Sequence, residues 1–232
     1  MFAIKSPSNY NEMLAKLNKS TFFTTLFFMV VMRALDYIPL IVVPKELVPP
    51  IAGAKDITSW AISFGVIPFL SAWFAYFLSH SFEIHNKAAK LLQIRYVWEL
   101  FYIVKPMAKI AGSSIRLNKE SVNKVMHELY YPEVKNIDSH YVSLFWRYAQ
   151  TFWVLFEHLL VVISFMLILL LLGSDKSMVG LCGYLFIVFL LAILQFLFVT
   201  ALKSTDQVKQ ISTGRIFQYF RAEFSNEICT TL

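Results

Sequence analysis

Residues 178–202 contain no charged side chain, and neither do residues 161–172. Only residues 173–177 separate the two stretches, a connector that fits an antiparallel helical hairpin. A helix crossing a hydrocarbon core of about 30 Å needs roughly 20 mostly apolar residues. Four segments meet that need: residues 21–43, 57–78, 151–172 and 178–202. Pro44, Pro49, Pro50 and Gly53 break the chain between the first two, as helix-ending residues do. Composition agrees, with 57% hydrophobic residues, 22 Phe, a mean hydropathy of +0.58 and only 16% charged residues. A soluble domain could not cover that much apolar surface. The expected fold is all-α and integral to a membrane, with about four transmembrane helices.

The basic residues give the orientation. Residues 1–20 hold three Lys or Arg, residues 81–150 hold ten and residues 203–232 hold four. The opposite loops hold Lys45, Lys55 and Lys176. Positive charge stays on the cytosolic side, so both termini and the central block are expected there. This divides the chain into a cytosolic N-terminal segment (1–20), spans one and two (21–80), a cytosolic helical domain (81–150), a transmembrane hairpin (151–202) and a cytosolic tail (203–232). The net charge of +6 is read as this orientation signal, and no direct reading of duplex nucleic acid is expected. Residues 1–20 carry Lys5, Lys16 and Lys19 but no apolar core, so no cleavable signal peptide is expected. Trp60, Trp73, Tyr37 and Trp153 fall near span ends, where interfacial aromatics belong.

The central block is too periodic for a loop. Leu91, Leu92, Tyr96, Leu100, Ile103, Val104 and Met107 follow helical spacing, with no breaker between Ser79 and Pro106. The second span is therefore expected to continue as one helix, ended by Pro106 or by Gly112-Ser113-Ser114. Asn118 is a good N-cap for a second helix, stopped by Pro132. Asp138 or Ser139 caps a third, which runs unbroken into the third span. In the tail, Ile216, Phe217, Phe220 and Phe224 make one apolar side, suited either to the inner membrane surface or to the cytosolic helices.

Charges within spans are costly, on the order of 2.5–3.5 kcal/mol each, and so mark candidate sites. Arg33 and Asp36 share a helix face at i,i+3 and read either as a self-neutralising pair near the outer end or as a pore-lining or gating pair. Glu157 and His158 lie about two turns inside the third span, about 100° apart, and are pore or gate candidates. The alternative is that Glu157 pairs with Arg33 or another span and holds the bundle together. Gln195 is an interhelical hydrogen-bond donor. On the cytosolic side Arg95, Lys105, Lys109, Arg116, Lys124, Tyr130 and Arg147 mix cations with aromatics, which suits a nucleotide-like anion or a lipid headgroup.

His127, Glu128, Asp138 and His140 match no metal-ligand spacing, and Cys182 and Cys229 suit neither a metal nor a disulfide. No P-loop, Gly-x-Ser-x-Gly, His-Glu-x-x-His or Cys-x-x-Cys occurs, so no enzyme, cofactor or metal is expected. Two functions remain in front. One is a homo-oligomeric channel of four or more copies, since one four-helix unit is too small to enclose an aqueous path. The other is a non-conducting adaptor that recruits a cytosolic protein. A small transporter comes third, because no inverted repeat answers the Gly65 and Pro68 bend of the second span.

Two spans, a basic helical block from His85-Asn86-Lys87 to Trp146-Arg147-Tyr148, and then a hairpin of spans form a layout of their own. In that layout the chain resembles the small multi-pass membrane effectors of bacterial anti-phage defence systems. The resemblance implies a membrane-depolarising channel in the bacterial inner membrane, controlled by a partner protein or a nucleotide-type signal. It carries no individual residue with it.

Overall fold

The computed structural model describes residues 7, 9–38, 54–113, 118–173 and 178–228. Among these the chain is helical, with no strand. The helices are α1 (Tyr10–Ala34), α2 (Ala54–Ala61), α3 (Ile67–Phe82), α4 (Ile84–Leu91), α5 (Ile94–Trp98), α6 (Lys105–Ile110), α7 (Lys119–Val125), α8 (Tyr131–Val134), α9 (Ser139–Leu171), α10 (Val179–Leu194), α11 (Ala201–Gln210) and α12 (Thr213–Ile228). They form two compact units. One comprises Met1–Met13, Asn86–Phe152 and Ala192–Leu232, and the other Leu14–His85 and Trp153–Leu191.

Among the described residues four junctions are wide π turns: Ile62–Val66, Glu99–Val104, Met126–Tyr130 and Gln195–Thr200. The first three precede Pro68, Pro106 and Pro132 at the same offset. A proline inside a regular helix lacks its own N–H and drives its ring against the carbonyl four residues back. Here the residue just before each proline bonds five residues back instead: Ile67 N–H to Ile62 O, Lys105 N–H to Leu100 O and Tyr131 N–H to Met126 O. The wider turn makes room for the ring, and the helix continues. Pro106 and Pro132 are therefore not the stops expected from sequence. The carbonyl of Tyr102, which Pro106 cannot serve, accepts from Thr205 Oγ1 at 3.0 Å.

No proline follows the fourth π turn. In a regular helix Gln195 and Thr200 would point about 140° apart, whereas the wider turn brings them onto one side. Both then reach the carbonyl of Tyr148, Gln195 Nε2 at 3.3 Å and Thr200 Oγ1 at 3.1 Å. Gln195 is thus the interhelical donor its sequence position suggested.

The first unit has its own apolar core. Ile103, Met107, Val125 and Leu129 are buried against Ile216 and Phe220 of α12. Of the two placements expected for the tail, its apolar side packs on the helices of residues 99–130, although Phe217 stays half exposed. Around this core Tyr130 donates to Gln207 Oε1 at 2.6 Å, and Trp98 Nε1 donates to Ser204 Oγ at 2.8 Å. Asn118 caps α7 as expected, its Oδ1 accepting from Ser121 N–H at 2.7 Å. Asp138 Oδ1 does the same for α9 through His140 N–H at 2.8 Å. Replacing Asn118 with Ala is expected to cost about 1 kcal/mol. Faster amide exchange in residues 119–122, with α9 unchanged, is the check.

The continuous helix expected from the second span does not form. Glu83 and Gln93 take left-handed backbone conformations, with φ of 45° and 54°, so the chain turns after α3 and again after α4. Neither residue is Gly, Asn or Asp, so nothing in the composition announced these breaks. The later stop is as expected: Gly112, φ 64°, ends α6 while Ser113 N–H bonds Ala108 O.

Among the described residues three helices are long and apolar enough to cross a membrane: Lys55–Phe82, Ser139–Leu171 and Val179–Gln210. The helix at the expected first span, α1, is not among them. It starts eleven residues earlier than residue 21 and stops at Ala34 rather than at 43. Asp36 closes it in a left-handed turn, φ 64°, with Tyr37 N–H bonded to Met32 O and Asp36 N–H to Arg33 O. The expected breakers at 39–53 lie outside the described residues, as do Arg116, Lys176 and Cys229.

The second unit is apolar outside and partly polar inside. Phe69, Trp73 and Phe74 of α3 and Phe186, Phe189 and Leu190 of α10 are all exposed. Asn18, Thr21 and Thr25 of α1 are buried instead, at i, i+3 and i+7. That inversion is what lipid, rather than water, selects on a bundle's outer surface.

Candidate functional site

The buried polar face of α1 leads to Glu157. Its carboxyl, 4% exposed, is the centre of a cluster drawn from α1, α3, α4 and α9. Ser79 Oγ donates to Oε1 at 2.7 Å, and Thr21 Oγ1 donates to Oε2. His85 Nδ1 lies 2.8 Å from Oε1 with its ring 1% exposed, edge-on to Trp153 at 5.9 Å. Beyond Ser79, Asn18 Oδ1 lies 3.3 Å from the same hydroxyl, and Asn18 Nδ2 is 3.1 Å from His80 Nδ1. His80 is exposed and stacks on Tyr76. A line of polar contacts thus runs from an exposed imidazole to a buried carboxyl, with the single Ser79 proton shared between Asn18 Oδ1 and Oε1.

Local structure places each group. The left-handed turn at Glu83 separates Ser79 from His85, and both reach the same carboxyl oxygen from successive helices. Asn18 and Thr21 are one helical turn apart on α1. A carboxyl buried among hydroxyls and an imidazole can bind and release a proton or hold helices together through bonds to its charge.

Sequence reasoning found Glu157 and missed Asn18, Thr21, Ser79, His80 and His85. The available signal was the polar stripe Asn18–Thr21–Thr25, on the face an ordinary apolar span would fill.

His158 faces elsewhere. Its Nε2 is 2.6 Å from Tyr184 Oη, and Phe28 packs edge-on at 5.5 Å. Arg33 does not reach Glu157. Its Nη1 bonds Asp36 Oδ1 at 2.6 Å and Ile38 O at 2.9 Å, and Cζ lies 5.2 Å over Phe64. Arg33 is 9% exposed at its side chain against 71% for Asp36, a pair anchored at the end of α1 with its anion outward. The four gate candidates therefore divide into three separate places.

The YmfE protein family profile matches residues 9–222. The chain belongs to the YmfE family. The uncharacterized protein YmfE of Escherichia coli strain K12 is 39% identical over 221 residues, which is 92% of this chain and 94% of that one. No solved structure matches.

In this YmfE-family chain the basic and aromatic candidates of the first unit do not converge. Arg95 Nε bonds Glu99 Oε1 at 2.7 Å, and its Nη2 bonds Tyr131 Oη at 2.8 Å. Partial burial works against the Arg95 charge, but the bonds to Glu99 and Tyr131 raise its pKa above the ordinary value. Lys124 pairs with Glu223, and Lys105 Nζ sits 3.9 Å over the Phe101 ring. Tyr130 is buried, which pushes its phenol well above the usual range and keeps it a proton donor to Gln207. Lys109 and Arg147 are exposed. The metal-type residues are separately employed: Glu128 accepts from Tyr219 at 2.9 Å, Asp138 caps α9, and His127 and His140 lie against Tyr131 and Tyr141.

Proposed function

We propose that this YmfE-family chain is a four-span protein of the bacterial inner membrane that assembles into a ring and conducts ions. In this reading α1 is the first of the four spans, joined to the three long apolar helices, and both termini and the first unit are cytosolic. The observation that carries it is the Glu157 cluster. Thr21 at the start of span one and Ser79 at the end of span two both donate to Glu157 near the start of span three. In a chain with cytosolic termini, those three positions share the inner level of the bilayer. Seventeen basic residues against three in the loops support the same orientation. A buried ionisable group in a span is a conduction or relay site by default.

The first unit supplies control. A partner protein or a small anionic ligand acting there would open the path, depolarising the membrane, as in the defence effectors the layout resembles. The internal ion pairs of Arg95 and Lys124 favour a protein partner over a nucleotide. The test joins native mass spectrometry in nanodiscs to ion flux in proteoliposomes. The expected result is four or more copies, and a flux that Glu157→Gln changes by about tenfold or more. A monomer without flux sinks the channel.

The adaptor is the second reading, favoured by Leu91 and Leu92, which stand 83% and 60% exposed in the first unit. A silent monomer that captures a cytosolic protein through this patch, and loses it on Leu91→Asp, would establish that reading instead.

A further inference from the structure

The hydroxyls around Glu157 each have a second acceptor. Thr21 Oγ1 lies 3.1 Å from the carbonyl of Leu17 as well as against Oε2. Ser79 Oγ lies 3.3 Å from Asn18 Oδ1 as well as 2.7 Å from Oε1. A hydroxyl has one proton to give and lone pairs to receive with, so it can turn from donor to acceptor without moving its oxygen.

From this arrangement we infer that Glu157 is a reversible proton-binding site, with Thr21 as the hydroxyl that rotates to admit the proton. In the ionised form Thr21 and Ser79 both donate to the carboxylate. Uptake of one proton from water forms an O–H bond at Oε2. That O–H donates to Thr21 Oγ1, and the Thr21 hydroxyl turns to Leu17 O. Oε1 keeps Ser79. Neither Glu157 oxygen and neither hydroxyl loses its bond in either form, which is uncommon for a buried carboxyl, since burial ordinarily favours one state strongly.

The neighbouring groups direct the proton to this oxygen. His85 of α4 has Nδ1 2.8 Å from Oε1, but among the described residues both of its buried ring nitrogens lack a partner in hydrogen-bond geometry, so a proton held there would be left poorly bonded. His80 of α3 stands beyond Asn18, at the exposed end of the chain of bonds. From α1 the facing groups are Asn18 and Thr21, while Lys19 lies with Phe22, Trp73 and Tyr76. On α9 itself, His158 is turned to Tyr184.

This inference rests on the reading of Glu157 as the functional centre of a membrane bundle, and names its ligand as the proton. The experiment is infrared difference spectroscopy of the intact protein in nanodiscs during a pH titration, so it requires no conduction. The expected result is a protonated-carboxyl stretch that grows on acidification, vanishes in Glu157→Gln, moves its midpoint by about one pH unit in Thr21→Val, and is restored in Thr21→Ser. One pH unit is tenfold in proton affinity. The absence of any band removed by Glu157→Gln, or an unmoved midpoint in Thr21→Val, overturns it. A protein that titrates in this way without conducting refutes the channel and leaves the proton site standing. One that conducts while Glu157 is spectroscopically silent does the reverse.

Discussion

Replacing Thr21 with Val and Ser79 with Ala together is expected to destabilise the second unit by about 3 kcal/mol. Each substitution removes a hydroxyl that donates to the Glu157 carboxyl. Hydrogen bonds to a charged group are worth roughly 1.5–3 kcal/mol each, and two on one acceptor do not add fully. Neutral interhelical bonds in membranes average well under 1 kcal/mol, so a loss of this size is diagnostic of bonds to a charge. The control is the same double replacement in a Glu157→Leu background. There the two hydroxyls already have Leu17 O and Asn18 Oδ1 to bond, and their removal is expected to cost under about 1 kcal/mol. Thermal unfolding in mild detergent, followed by tryptophan fluorescence, measures all four corners of the cycle. Equal losses in both backgrounds would show that Glu157 draws nothing from its neighbours.

Phe220→Ala is expected to loosen the first unit by about 3–5 kcal/mol, the usual range for emptying a buried aromatic site. Phe220 is 1% exposed and lies in one core with Ile103, Met107 and Val125. It is also the middle of three tail residues, with Ile216 and Phe224, that close that core. Lys124–Glu223, Arg215–Glu133 and Tyr219–Glu128 contact the same helices at the surface, but exposed pairs contribute little by comparison. Hydrogen exchange should show protection lost across residues 99–130 and retained in α9 beyond residue 153. Retained protection in residues 99–130 would mean the tail covers a core that stands without it.

Much of the architecture was legible because the physics acted over a few neighbouring residues. Long uncharged stretches require lipid or a protein interior, and Asn118 and Asp138 cap helices through atoms two or three positions away. The breaks at Glu83 and Gln93 were illegible because a left-handed turn on such residues is held by tertiary packing, not by local preference. Pro106 and Pro132 misled for a related reason: a π turn absorbs the ring, and no sequence pattern announced one. Of the candidate site, Glu157 was conspicuous as a charge in an apolar run. Its partners were ordinary Ser, Thr, Asn and His residues, informative only once distant segments meet. The tail helix shows the limit of periodicity. Spacing identified its apolar side, but only the structure says that Ile216, Phe220 and Phe224 face protein.

The π turns also govern where the chain can change length. Each holds one residue more than a regular helix needs over the same bonds. Deleting a residue within Ile62–Val66, Glu99–Val104 or Met126–Tyr130 returns the backbone to ordinary pitch and forces the following proline ring onto a carbonyl. A deletion within Gln195–Thr200 meets no ring. It leaves Gln195 and Thr200 four places apart on one face of a regular helix, so Ser204 still faces Trp98 and Gln207 still faces Tyr130. At the three places followed by proline the chain can exchange one side chain for another far more easily than it can lose one, whereas Gln195–Thr200 is the place where it can shorten.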